Sequence, residues 1–111
     1  MSAYTTLYHT EDGYVIQYEE DRQIQLAFGT VALTFTESEF DAFEETIDKL
    51  TTEFFDSKDP SSKTIFVPSK SKDVLLVFNY NEIVKLNGIL CTSLLVMKAE
   101  TLLNENESLY K

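Results

Sequence analysis

A chain of 111 residues with 43% hydrophobic and 13% aromatic residues, three Gly and two Pro is long enough for one domain with one core, and its composition excludes a disordered or fibrous protein. Nine Lys and Arg stand against 19 Asp and Glu, and the resulting net charge of −10 repels the phosphate backbone on which non-specific nucleic-acid affinity depends, so no nucleic-acid partner is expected. The single cysteine, Cys91, forms no internal disulfide, and its apolar neighbours make it a small buried hydrophobe.

The first residues lack the basic and apolar regions of a secretory signal, and the longest nearly apolar window, Ile89 to Met97, falls well short of the ~18 residues a membrane span needs. A cytoplasmic protein without membrane contact is expected.

Asp12-Gly13 lies between Tyr4-Thr5-Thr6-Leu7-Tyr8 and Tyr14-Val15-Ile16-Gln17-Tyr18, which predicts a hairpin closed by a type I′ turn. After Glu19-Glu20-Asp21-Arg22, Ile24, Leu26 and Phe28 alternate with Gln23, Gln25 and Ala27. Gly29 breaks the run, and Val31, Leu33 and Phe35 alternate with Ala32, Thr34 and Thr36. The expectation is a meander of up to four strands with one apolar face.

At Thr36 the period changes. Thr36-Glu37-Ser38-Glu39 is a capping box, and Phe35 with Phe40 occupies the positions of a hydrophobic staple. Phe40, Phe43, Ile47, Leu50 and Phe54 continue at helical spacing until Asp59-Pro60, predicting a helix over about 37–57. Its acidic residues, from Glu37 and Glu39 to Glu53 and Asp56, make a solvated face, with a docking surface for a basic partner as the alternative. Residues 1–59 hold 14 acids against three bases, whereas residues 60–111 hold five acids against six lysines.

A polar connection over 57–63 leads to two strands, Thr64 to Pro68 and Asp73 to Asn79, joined by Ser69-Lys70-Ser71-Lys72. Asn79-Tyr80-Asn81-Glu82 repeats the capping arrangement and Phe78 with Ile83 repeats the staple, opening a helix over about 80–105. Shifting the sequence by 43 places Val31, Leu33, Phe35 and Glu39 on Val74, Leu76, Phe78 and Glu82, so repeat-like units run over about 22–57 and 64–105. The fold class expected is a single α+β domain over 1–111, an antiparallel sheet of five to six strands with two helices in the order ββ-(ββα)-(ββα).

The second helix is apolar on more than one side. Ile83, Leu86, Leu90, Leu94 and Met97 share one face, while Val84, Gly88, Cys91, Leu95 and Leu102 lie about 100° away, with Ile89, Val96 and Leu103 on a third side. A homodimer in which the Val84, Gly88, Cys91, Leu95 and Leu102 stripe meets its symmetry mate accounts for this surplus, Gly88 and Cys91 allowing close approach; strands or the C-terminal tail covering the stripe is the alternative.

Chemistry-bearing residues are sparse. His9, Glu11 and Asp12 offer metal-ligand types around the first turn, where acids and Gly also serve backbone needs, and no metal or other cofactor is expected. Without a second His, no Ser-His-Asp or Cys-His set arises unless His9 is the base. Lys63, Lys70 and Lys72, beside Phe66, could accept an anion but are more simply solvated.

The stretch Gly13-Tyr14 through Gln25-Leu26-Ala27-Phe28-Gly29-Thr30-Val31-Ala32-Leu33 to Glu39-Phe40 resembles a family of small bacterial proteins of unknown function. Those proteins share a hairpin, a strand ending in a Phe-Gly turn, a second strand and a capped helix. Where some relatives carry a Cys-x-x-Cys pair, Tyr18 and Asp21 stand here, so no metal or redox role follows from the resemblance. Two functions remain open: a non-enzymatic interaction module, homodimeric and with a further protein partner possible, or a small-molecule binder or minor enzyme using Tyr8, Tyr14, Tyr18 or His9 in a pocket between sheet and helices.

Overall fold

The computed structural model describes residues 3–109, and of residues 106–109 the backbone alone. Strands β1 (Tyr4–Thr10), β2 (Gly13–Tyr18), β3 (Ile24–Phe28) and β4 (Val31–Phe35) form an antiparallel meander in the order β1-β2-β3-β4. Helix α1 (Glu37–Glu53) follows, then the ribbon β5 (Ile65–Pro68) and β6 (Leu75–Phe78), and helix α2 (Tyr80–Leu109). The class and element order agree with the periodicity. The six strands, however, divide into sheets of four and two, because no ladder joins β4 to β6.

Alternation fixes which face is buried. Val15 and Gln17 of β2, Ile24 and Leu26 of β3 and Phe35 of β4 point inward, while Tyr14, Ile16 and Tyr18 face the other way. The register sets Gln17 against Ile24, Val15 against Leu26 and Ile24 against Phe35, so buried residues lie beside one another across the sheet. In β1 the register slips between Thr6 and Tyr8, a bulge that turns Leu7 into the core. The ribbon adds Ile65, Val67, Leu76 and Phe78 to the same core, and the helices close it with Phe40 and Ile47 from α1 and Ile83, Leu86, Ile89 and Leu90 from α2.

The first turn differs from the type I′ expectation. Thr10 pairs with Gly13, so Glu11 and Asp12 are the loop residues, and among the described residues only Arg22 and Gly29 have positive φ, at 61° and 60°. The Thr10 hydroxyl accepts from the Asp12 N–H and closes the turn without a left-handed residue. Gly13 is needed for space instead: a Cβ there would lie 2.1 Å from the carbonyl oxygen of Ala27 on the neighbouring strand.

Both helix starts are built as their sequences require. Thr36 Oγ1 accepts from the Glu39 N–H and Glu39 Oε1 accepts from the Thr36 N–H, at 3.2 and 2.8 Å. Asn79 and Glu82 make the same exchange at 2.7 and 2.9 Å. The staple of α1 is an edge-on packing of Phe35 and Phe40 with ring centres 5.8 Å apart.

At its other end α1 stops at Glu53, with Phe54 as the cap, rather than near 57. No basic residue lies in its last turn, and Glu53 and Asp56 place negative charge at the negative end of the helix dipole. Phe54 leaves the helix to pack against the core, with its N–H on the Leu50 carbonyl at 3.0 Å.

Two buried polar side chains, Gln17 and Ser93, donate hydrogen bonds. Gln17 Nε2 donates to the Arg22 carbonyl and to Glu37 Oε1, at 3.0 and 2.9 Å, tying the β2–β3 turn to the start of α1. Ser93 Oγ donates to the Ile89 carbonyl within α2.

Candidate functional site

α1 and α2 run antiparallel. Asn87 Nδ2 donates to Asp48 Oδ1 and the Cys91 thiol donates to Glu44 Oε1, at 3.2 and 3.1 Å, while Glu37, Ser38 and Asp41 at the start of α1 lie beside Leu94, Lys98 and Thr101. Beyond that point α2 outruns α1, and residues 101–105 are all exposed.

The core face of α2 holds Ile83, Leu86, Leu90 and Ser93. Half a turn around, Val84, Gly88, Leu95 and Leu102 are exposed, Val84 at 43%, Leu95 at 65% and Leu102 at 60%, and nothing lies within 4 Å of a Cβ built at Gly88. Four of the five stripe residues are therefore uncovered in the single chain. The fifth, Cys91, is half-buried at the margin against Glu44. Leu103, on the third apolar side, is also exposed.

Counting uninterrupted apolar residues misses a property of this helix, because its few charges are spaced out. Over Tyr80–Glu105 it is long and apolar enough to cross a membrane by length and composition. In the fold that apolar content is divided between a face spent on the core and a face left outside.

His9, Glu11 and Asp12 do not converge. His9 and Glu11 are exposed at the end of the hairpin, and Asp12 Oδ1 faces Lys85 Nζ at 3.7 Å, tying the turn to α2. Tyr18 donates to Gln25 Oε1 on the sheet face away from the helices, its ring edge-on to Tyr4. Lys63 and Lys70 carry ion pairs, with Glu82 and Glu39 respectively, the latter at 2.6 Å, so the two capping carboxylates each serve a lysine as well as a backbone N–H.

These contacts act on acidity. Lys70 first, then the Thr36 N–H, hold Glu39 below the usual carboxylate value. At Glu82 partial burial works upward, but the Lys63 ammonium and the Asn79 N–H outweigh it and the net shift is downward. Depressed carboxylates stabilise the fold above about pH 4.5 and lose that contribution as pH falls through their folded values. Melting temperature should accordingly drop below about pH 4.5, with a shallower acid limb in a Glu39→Gln, Glu82→Gln double variant.

Sequence spacing does not reveal one cluster. Glu44, Asp48 and Cys91 bring ligand-type atoms within 4.8 Å of one another across the α1–α2 seam, and 43 residues separate Asp48 from Cys91 in the chain. Burial, and then the carboxylate of Glu44, raise the Cys91 thiol to about 11 from 9.0. It is held protonated at neutral pH. Its contribution to stability is complete below about pH 9 and disappears as pH rises through 11. At about pH 8 its thiolate fraction is roughly 100-fold below that of an unperturbed thiol, so alkylation by iodoacetamide should be slower by about that factor than in urea, and Glu44→Gln should restore part of the rate. Equal rates in the folded and unfolded chain would contradict the contact.

Two adjoining clefts, of about 370 and 880 Å³, separate β4 from β6 and the turn that precedes it. Val31, Leu33, Phe43 and Val74 line both, making one groove floored by the helices. Neither cleft is lined by Tyr8, Tyr14, Tyr18 or His9, the polar handles the sequence offered.

The chain is similar, over residues 1–111, to a family described as Family of unknown function (DUF6686), so the likeness extends through the second half as well as the first. No curated protein and no solved structure matches it.

Proposed function

The chain belongs to the family of unknown function DUF6686, and we propose that it is a non-enzymatic interaction module that works as a cytoplasmic homodimer, two copies meeting along the outer stripe of α2. The carrying observation is the exposed row Val84, Gly88, Leu95 and Leu102, placed opposite the face that fills the core. Gly88 gives the row a flat centre on which a second helix could approach to about 8–10 Å. α2 is about 45 Å long, enough for an isologous contact of the standard ~800 Å² per partner.

Charge favours the same face. The acidic exposed side of α1 would repel a second copy, whereas the near-neutral half that contains α2 would not. Binding fits the remaining chemistry better than turnover does: the one histidine is exposed beside a turn, and the one thiol is kept protonated.

Sedimentation equilibrium at about 50 μM should give twice the 12.7 kDa chain mass, corresponding to a dissociation constant in the micromolar range or below. Leu95→Glu should yield a folded monomer, since Leu95 touches little of its own chain. Gly88→Ala separates the readings further. In a monomer, alanine at an open helix position adds about 0.5–1 kcal/mol of stability, while at a closed helix crossing it weakens association. A wild-type monomer at that concentration rules out the dimer.

A further inference from the structure

We propose that the groove between β4 and β6 receives an extended, uncharged peptide segment of a partner protein, which adds as a strand and joins the two sheets. The groove runs along all of β4 and along β6, strands at the ends of their sheets, so the side of each toward the gap has no ladder partner.

The way each edge is guarded points the same way. β1, the far edge of the larger sheet, is interrupted by the bulge at Leu7, and β5, the far edge of the ribbon, ends in Pro68. Val31-Ala32-Leu33-Thr34-Phe35 and Leu75-Leu76-Val77-Phe78 carry no charge, proline or bulge. The two strands without such features are the two that run along the groove, which reaches β5 only at Pro68. Lys63 Nζ lies 3.5 Å from the Val77 carbonyl oxygen, so an ammonium donates to β6 in the manner of a strand N–H.

Charge identifies the kind of segment. In a chain of net −10, the charged residues lining the groove form two ion pairs, Lys70 with Glu39 and Lys63 with Glu82. A charged segment would find no free counter-ion there. An uncharged one would lay alternate apolar side chains on Leu33, Phe43 and Val74, the period of a strand. Clefts of about 370 and 880 Å³ hold several side chains rather than a folded second copy, and this surface is separate from the α2 stripe.

The test uses a fluorescein-labelled pool of capped hexapeptides, uncharged throughout, with Val or Ile fixed at the second and fourth positions. Anisotropy should show saturable binding below about 1 mM, and amide exchange in β4 and β6 should slow by about tenfold or more. The same pool N-methylated at alternate amides should bind at least about tenfold more weakly, because it cannot form the ladder. Val74→Lys, at a half-exposed groove position, should weaken binding by a similar factor without a change in melting temperature. No saturation, equal binding of the N-methylated pool, or protection only on α2 would overturn the proposal. So would protection of β4 by self-association alone.

Discussion

Phe40→Ala should cost about 3–5 kcal/mol, a large part of the roughly 5–15 kcal/mol available to a domain of this size. Phe40 is fully buried, and it works at the strand-to-helix junction: its ring meets Phe35 edge-on at 5.8 Å, fixing the angle at which β4 enters α1. Truncation would leave a cavity beneath the helix and release the staple together. Urea denaturation read by circular dichroism measures the loss. Phe55→Ala is the matched control, because Phe55 is 73% exposed, and its effect should stay within about 0.5 kcal/mol. A loss at Phe40 below about 1 kcal/mol would mean that the core is not organised around this side chain.

Gly13→Ala should be the most damaging of the glycine substitutions, at about 3 kcal/mol, although alanine is ordinarily a benign replacement. The obstacle is backbone. A Cβ at residue 13 would stand 2.1 Å from the Ala27 oxygen, and neither strand can retreat without breaking the β2–β3 ladder, in which Gly13 pairs with Phe28 and Ala27 with Tyr14. Gly29→Ala meets no neighbouring atom and pays only for a φ of +60°, about 1–2 kcal/mol. The order of the two losses discriminates between crowding and conformational freedom as the reason for Gly13. A larger loss at Gly29 would show that the hairpin relaxes around an added methyl group.

The junctions of this fold are legible in the sequence because their rules are local. Thr36 with Glu39 and Asn79 with Glu82 mark both helix starts, and Phe35 and Phe78 mark the strands that feed them. The offset of 43 follows from the same residues. What the sequence conceals depends on meetings between distant segments. Nothing near Gly13 announces Ala27, nothing in β4 or β6 tells that the strands stop short of pairing, and Glu44 meets Cys91 only because α1 and α2 run antiparallel. The outer stripe of α2 is an intermediate case. Its excess of apolar residues is plain in the sequence, but its position opposite the core depends on how α2 packs on the sheet.

The meander has a kinetic consequence. Every pairing within β1 to β4 joins strands adjacent in the chain, so each ladder closes a short loop and asks little entropy of the unfolded chain. The second unit must instead bring α2 back across the sheet to β1 and β2, some seventy residues upstream, which is a far slower search. Until α2 arrives, Val15, Ile24 and Leu26 lie open on a sheet whose β4 edge is also bare. During synthesis the chain thus passes through a half-made state in which strand edge and apolar face are exposed together. The acidic residues of α1 precede α2 in the chain, and their like charge opposes association between chains whose last helix has not yet docked.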